Sequence, residues 1–457
     1  MKVCLISLGC DKNLADSEIM ISILQEHGHE VVDLESEADA VVINSCCFIN
    51  DAKEESINTI LECARLKEDK LKYLIVAGCL SQRYYAEIQE AIPEVDILLG
   101  SGAYADIGMV LDRLTEEKVK GTEQETVSDS QKVYLRAADY LPELTVKRGH
   151  YTGTAYAYLK IAEGCNKHCT YCVIPSIKGP FRSIPIERIL DEAKELAQKG
   201  VKELILVAQE TTLYGVDLYG EKTLPKLLRE LCKIDGPEWI RLMYCYPEEI
   251  TDELIDVIRD EEKIVKYLDM PVQHASDEIL RRMGRRTSQQ ELRIQINKLR
   301  SAVPQIVLRT SLITGFPGET EADFEELCDF VREIRFERLG VFPYSKEEGT
   351  PAAKLKPQIP QKIKKQRRDR IMKIQQEIAF EQAEQRIGSV LDVQIEGAIP
   401  EEEIYVARAY MDAPNVDGYV FVKAARGKLS GSILRVRVIG AKGYDLIAEE
   451  LEEKISD

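Results

Sequence analysis

No run of apolar side chains in these 457 residues approaches the length needed to cross a bilayer. The opening MKVCLISLGCDKN carries one Lys and then acidic and polar residues, so it does not read as a signal peptide, and the expected address is the cytoplasm. Positive charge is in deficit. Against 61 basic side chains stand 79 acidic ones, a formal net charge of −18, so the chain gains little from neutralising phosphates, and a basic protein partner suits its field better than RNA. Twelve cysteines are too few for a disulfide scaffold, and the cytoplasm keeps thiols reduced, so their grouping carries the information. No repeat at solenoid spacing is present. GFPGET, at 315–320, lacks the Lys-Ser/Thr that a phosphate loop needs, which argues against nucleotide hydrolysis. What is present is the composition of a soluble globular protein, 44% hydrophobic and 31% charged, long enough for two or three domains.

The fold class expected is α/β, in three parts. From residue 1 to about 99, β-branched runs at 2–7, 40–44, 73–77 and 96–99 alternate with helical patterns such as 17–27 and 52–66. That alternation predicts an open parallel sheet with helices on both faces. A polar, irregular connector covers about 121–153. Strand-like runs then recur at 156–162, 203–210, 239–246, 267–273, 307–315 and 338–344, separated by helical stretches such as 186–199, 223–233 and 321–334. Six units are too few for a closed eight-fold barrel, so a partial (βα)-barrel is expected, with its chemistry at the carboxyl ends of the strands. The charged stretch 361–385 reads as a solvated linker helix. Beyond it, Val- and Ile-rich runs at 390–396, 403–410, 418–422 and 433–441 predict a small five-stranded β-barrel, followed by acidic residues to Asp457. The domains expected are 1–140, 151–384 and 385–450.

The first strand of the second part runs into Ala-Glu-Gly and then CxxxCxxC, which is Cys165, Cys169 and Cys172. Three thiolates on a loop opened by Gly164 can wrap one metal centre. Iron–sulfur clusters usually take four cysteines, so a bare triplet leaves one iron open to another ligand. Zinc sites usually add a second Cys or His pair, and His168 inside the loop reads as a polar filler. The spacing, with Tyr171 before the last Cys, resembles the radical-SAM signature. In the first part, Cys10, Cys46 and Cys79 each lie just past a predicted strand. Parallel strands finish along one edge, so these thiols can converge although about 35 residues separate them. They suggest a second cluster, again with one iron open. Cys47 is an alternative to Cys46 on physical grounds, because adjacent residues of an extended chain face opposite ways. Cys4, Cys63, Cys232, Cys245 and Cys328 read as core residues.

Several stretches together resemble the radical-SAM methylthiotransferases: LGCDKNLADSE, NSCCFINDAKEES, GCLSQRY, EGCNKHCTYCVIP, VAQETTLYGVD, PVQHASDEILRRMGR and GFPGET. The resemblance covers nearly the whole chain. It implies an N-terminal domain with an auxiliary cluster, a radical-SAM barrel and a C-terminal TRAM barrel, OB-like in form. It also favours Cys46 over Cys47, because the family's ligand follows Asn-Thr, here Asn44-Ser45. The cofactors implied are two 4Fe-4S clusters and S-adenosylmethionine (SAM), one SAM donating a methyl group and another being cleaved to remove a hydrogen from the target carbon. The GCDKN motif is that of the RimO branch, which methylthiolates the β-carbon of an aspartate in ribosomal protein S-twelve; branches acting on tRNA adenosine usually show GCQMN and a basic TRAM domain. Residues 385–457 carry nine basic and thirteen acidic side chains, a net of −4, which suits a basic ribosomal protein.

The partners implied are that protein, free or in the small subunit, an electron donor such as a flavodoxin or ferredoxin, and rRNA only as a neighbour. Gln209 and Glu210 end the second barrel strand, where SAM's methionine portion is expected, and Gln273 and His274 end the fourth; Tyr171 is expected near the adenine. Asp417-Gly418 is a plain β-turn or a substrate contact. The rival readings are a tRNA methylthiotransferase and a non-catalytic zinc or iron–sulfur module.

Overall fold

The computed structural model describes residues 1–119, 132–142, 146–399 and 403–451. Much of the expected connector and the last acidic residues lie outside these. The first part is a six-stranded parallel sheet of β1 (Lys2–Ser7), β2 (Glu30–Val32), β3 (Ala40–Ser45), β4 (Tyr73–Gly78), β5 (Ile97–Gly100) and β6 (Val133–Tyr134), ordered β2-β1-β3-β4-β5-β6. β3 and β4 are buried along almost their whole length, as strands covered on both faces must be. β2, β6 and the helices Cys79–Ala91 and Ile107–Val119 complete the alternation.

The second part holds β7 (Tyr156–Lys160), β8 (Ala162–Glu163), β9 (Arg182–Ser183), β10 (Glu203–Val207), β11 (Trp239–Leu242), β12 (Ile264–Asp269), β13 (Val307–Thr314) and β14 (Arg338–Pro343). Six of these form an unclosed parallel sheet in the order β14-β13-β12-β11-β10-β7, while β8 and β9 pair as a short ribbon beside the first turn. The fourth barrel strand begins and ends earlier than the run 267–273 suggested. Pro271 has no N–H for the ladder, so pairing stops at Asp269 and Gln273 returns only as an isolated bridge to Leu312. One face of the sheet, including Leu159, Leu204 and Leu268, packs under the helices. The other, including Tyr156, Ile205, Trp239, Tyr267 and Val307, shares a core with the third part.

That third part is a closed barrel of β15 (Val390–Ile399), β16 (Ile404–Ala409), β17 (Val420–Lys423), β18 (Ile433–Lys442) and β19 (Asp445–Glu450). It is fastened to the central sheet by buried charge. Glu203 accepts from Arg241 Nε at 2.6 Å and from Arg408 Nη2 at 2.7 Å, and all three side chains are fully buried.

The helix Gln361–Gln385 forms over the expected residues but is not a solvated linker. Lys364, Arg367, Ile371, Gln375, Ile378 and Ala383 make a buried stripe at helical spacing. Two of its cations are partnered inside: Lys364 Nζ donates to the Tyr344 carbonyl at 2.8 Å and Arg367 pairs with Glu319 at 3.0 Å. Long stems buried with their charged tips partnered read as a solvent face in sequence.

Candidate active site

At the end of the first barrel strand, Gly164 adopts φ +79°, and a Cβ there would lie 2.1 Å from the Pro180 carbonyl oxygen, so only glycine admits the turn. The loop after it is pinned from both sides. Cys165 N–H donates to the Gly179 carbonyl (3.1 Å), Thr170 N–H to the Met283 carbonyl (2.9 Å), and Thr170 Oγ1 to the Arg282 carbonyl (2.8 Å). Cys165 and Cys169 are buried and Cys172 half-buried. Burial pushes the Cys165 thiol up to about 11 and that of Cys172 up to about 12, and each also feels Cys169. These thiols are costly to ionise unless a cation shares the pocket. Two backbone N–H groups already face the sulfurs, Lys167 toward Cys165 (3.5 Å) and Ile174 toward Cys172 (3.4 Å). His168 is exposed, at φ +52°.

Around this loop stand polar atoms without partners. Gln209 Nε2 donates to Glu163 (2.8 Å) while its own oxygen is unpartnered. Glu210 is fully buried; one carboxylate oxygen accepts from the Thr212 N–H (3.0 Å) and the other is unpartnered. Burial raises its carboxyl to about 7. Farther along the sheet edge, His274 accepts at Nδ1 from the Ser276 N–H (3.0 Å), which leaves its proton on Nε2, 4.0 Å from the Glu319 carboxylate and without a hydrogen bond, and burial pushes the ring down to about 3. Gln273 adopts φ +69°. Tyr171 packs against a buried group that includes Met283 and Phe316 and feels the charges of Cys169 and Arg285.

Nothing in the sequence sets Arg285 apart, because one Arg among Arg281, Arg282 and Arg286 has no local signal. Its guanidinium is fully buried, 4.2 Å from the Tyr246 ring, with Nε and Nη1 unpartnered. Tyr246 Oη in turn lies 3.6 Å from Cys169 Sγ. A buried carboxylate, Glu210, and a buried guanidinium, Arg285, each with spare hydrogen-bonding capacity beside the thiol loop, are what a zwitterionic amino acid requires.

The three strand-end cysteines sit on adjacent strands. β1 pairs with β3 up to Ser7↔Asn44, and β3 with β4 up to Ser45↔Gly78, so Cys46 and Cys79 lie one residue beyond a paired position. Gly9, at φ +85°, brings the chain against Cys46: a Cβ there would lie 2.4 Å from Cys46 Cβ and 2.8 Å from its sulfur. Asn13 Nδ2 bridges the carbonyls of Leu8 (3.0 Å) and Ser45 (3.1 Å), and Cys10 opens the helix Asp11–Glu26. Burial pushes the Cys46 and Cys79 thiols up, and Cys79 feels both Cys46 and Cys10. Cys47 lies alongside: its thiol donates to the Cys79 carbonyl at 3.3 Å, and it acts on the Cys79 thiol together with Cys46 and Cys10. Among the described residues no three Cys, His, Asp or Glu side chains draw close enough to share one ion. A four-iron cube accepts sulfurs spaced more widely than zinc's bonds of about 2.3 Å impose.

Cys10 is exposed toward a cavity of about 380 Å³ whose walls include Tyr158, Met243, Tyr244, Arg309 and Asn415. All three parts of the chain contribute to it. Asp417 does not face this space freely: it accepts from Tyr267 Oη (2.8 Å) and the Ala413 N–H (2.9 Å) and lies 3.8 Å from Arg309. Asp417 thus holds the 413–416 loop against the central sheet, Gly418 packs close to the Tyr444 carbonyl instead, and the exposed members of the loop are Asn415 and Val416.

Residues 2–100 match an uncharacterized protein family, UPF0004; residues 159–331 match the Radical SAM superfamily; and residues 387–450 match the TRAM domain. A protein of Lachnoclostridium phytofermentans named ribosomal protein uS12 methylthiotransferase RimO is 58% identical over 448 residues, covering 98% of this chain and 99% of its own. A protein of the same name from Acetivibrio thermocellus is 49% identical over 452 residues, covering 99% of both. Among solved structures, the radical S-adenosylmethionine methyltransferase TsrM from Kitasatospora setae, with cobalamin and a 4Fe-4S cluster bound, aligns with a TM-score of 0.53 at 14% identity over 77% of this chain and 73% of that one. At that identity the likeness concerns the fold alone.

Proposed function

We infer the function from one premise: this chain belongs to the RimO family of radical-SAM methylthiotransferases, sharing 58% identity with a member along nearly its whole length. It is a transferase. Its proposed reaction is methylthiolation of ribosomal protein uS12 at the β-carbon of an aspartate. The observation that carries this reading beyond the name is the pairing of two cysteine triplets, one on a barrel loop and one along the edge of the first sheet. We take residues 1–140, 151–384 and 385–450 as the auxiliary-cluster, radical-SAM and TRAM units.

In the proposal Cys165, Cys169 and Cys172 hold one 4Fe-4S cluster, and Cys10, Cys46 and Cys79 hold the other. The buried, unpartnered atoms of Glu210 and Arg285 fit the ammonium and carboxylate of SAM, with Gln209, His274 and Tyr171 completing its surroundings and Gln273 shaping them. When bound, these groups supply homolytic bond cleavage, hydrogen removal, and the sulfur and methyl that are transferred; acid–base side chains alone supply only about 10²–10⁴-fold. The chain's own work is placement. Glu210 accepts from an ammonium, Arg285 donates to a carboxylate, and His274, neutral through burial, donates from Nε2. Tyr158 and Met243 wall the cavity at Cys10, and the 413–416 loop borders the path by which a substrate loop would enter. A flavodoxin- or ferredoxin-like protein is the proposed electron donor, and the cytoplasm, where ribosomes are, the proposed place of action, with rRNA only as a neighbour.

The experiment is anaerobic reaction of the reconstituted protein with SAM, a reductant and uS12. Deoxyadenosine and methylthiolated uS12 are both expected, and both are expected to vanish in Cys165→Ala. No deoxyadenosine from the intact protein would leave only a metal-binding module.

A further inference from the structure

Two lysines and two carboxylates are buried together between the triplets. Lys160, at the end of β7, contacts Asp16 of the helix Asp11–Glu26 and lies 2.9 Å from Glu163. Lys178, the last residue of the helix Ile174–Lys178, lies 3.5 Å from Glu163 and 3.6 Å from Asp16. No side chain of the four is more than 7% exposed. All four lie near a triplet in the chain: Asp16 follows Cys10, Lys160 and Glu163 precede Cys165, and Lys178 follows Cys172.

Lys178 also reaches the first domain. Its helix packs on the helix Cys79–Ala91, and Val173 and Ile177 share one buried cluster with Cys47, Cys79 and Leu80. Cys79 is the first residue of that second helix, and Ile177, the neighbour of Lys178, lies in the same buried cluster as Cys79. A buried cation carried by the segment after Cys172 therefore sits on the helix packed against the one that Cys79 opens.

We propose that Lys178 is a positioning residue that sets the reduction potential of the cluster held by Cys10, Cys46 and Cys79. This rests on the reading of those cysteines as ligands. A cluster gains negative charge on reduction, so a buried cation nearby stabilises the reduced form more than the oxidised one, and weak screening magnifies the effect. Asp16 acts with the opposite sign. The quartet thereby ties the electronic state of one site to the placement of the other.

The test uses the full chain with Cys165, Cys169 and Cys172 all replaced by Ala, so that one cluster remains. Its one-electron reduction is followed by EPR in a redox titration. Lys178→Met is expected to lower the midpoint, Asp16→Asn to raise it, and Lys178→Arg to keep it near that of the parent. Equal midpoints in all four proteins, or shifts of the same sign in Lys178→Met and Asp16→Asn, overturn the proposal. If Lys178→Met fails to fold, Asp16→Asn and Lys178→Arg decide it alone. A parent that binds no iron refutes the ligand reading itself, which distinguishes the two failures.

Discussion

Replacing Gly9 with Ala probes the auxiliary site at the point where the backbone is most constrained. Gly9 holds φ +85°, a conformation that costs an L-residue about 1–2 kcal/mol. The new Cβ would also lie 2.4 Å from Cys46 Cβ and 2.8 Å from its sulfur, against an ordinary separation of about 3.5–4.0 Å. The overlap forces a displacement of roughly 1 Å, at an overpacking cost of about 1–3 kcal/mol. Together these come to about 2–5 kcal/mol, less than the stability of a typical domain, so the fold is expected to persist while Cys10 and Cys46 move apart. Functional constellations tolerate only about 0.5 Å. Iron per chain is therefore expected to fall from about eight to about four, with the radical-SAM cluster retained. Gly28→Ala is the matched comparison, because Gly28 has φ +76° and nothing within 4 Å of an added Cβ. It carries the strain without the collision and is expected to keep its iron. Full iron and undiminished methylthiolation in Gly9→Ala would refute the reasoning.

Glu203→Gln removes the carboxylate that pairs with Arg241 and is one of the two that pair with Arg408, and is expected to cost about 3–5 kcal/mol, read as an earlier urea transition; an unmoved midpoint would contradict the buried-triad account. Burial opposes the ionised form of Glu203, but Arg241 and Arg408 outweigh it and hold its carboxyl below the usual 4.5. Its contribution is therefore complete above that value and fades as pH falls below it, so the gap in stability between wild type and Glu203→Gln should close in acid. Cys46→Ser is expected to lose about four irons and Cys47→Ser none, measured on anaerobically purified protein; the reverse pattern would exchange their roles. Arg285→Met is expected to weaken SAM binding by about 10- to 150-fold, the worth of a lost charged hydrogen bond, in equilibrium dialysis; unchanged affinity would remove Arg285 from the pocket.

Much of this organisation is legible in the chain because its signals are local. CxxxCxxC lies within eight residues, and the parallel topology that aligns Cys10, Cys46 and Cys79 follows from strand–helix alternation. The rest depends on contacts that sequence proximity does not encode. Glu203 and Arg408 are 205 residues apart, and each alone reads as an ordinary surface charge. The helix Gln361–Gln385 conceals its buried stripe behind lysines and arginines whose partners, Tyr344 and Glu319, lie outside it. Asp417 resembles any turn aspartate until Tyr267 and Arg309 are seen to face it. Pro271 was visible, yet its effect on where β12 stops emerges only once the neighbouring strand is in place.

Offering the reconstituted protein uS12 and tRNA together, with SAM and a reductant, and locating the added group by mass spectrometry tests the central claim most directly. One methylthio group on an aspartate of uS12, and none on tRNA, is the result predicted. A methylthio group on tRNA with uS12 unmodified would contradict it.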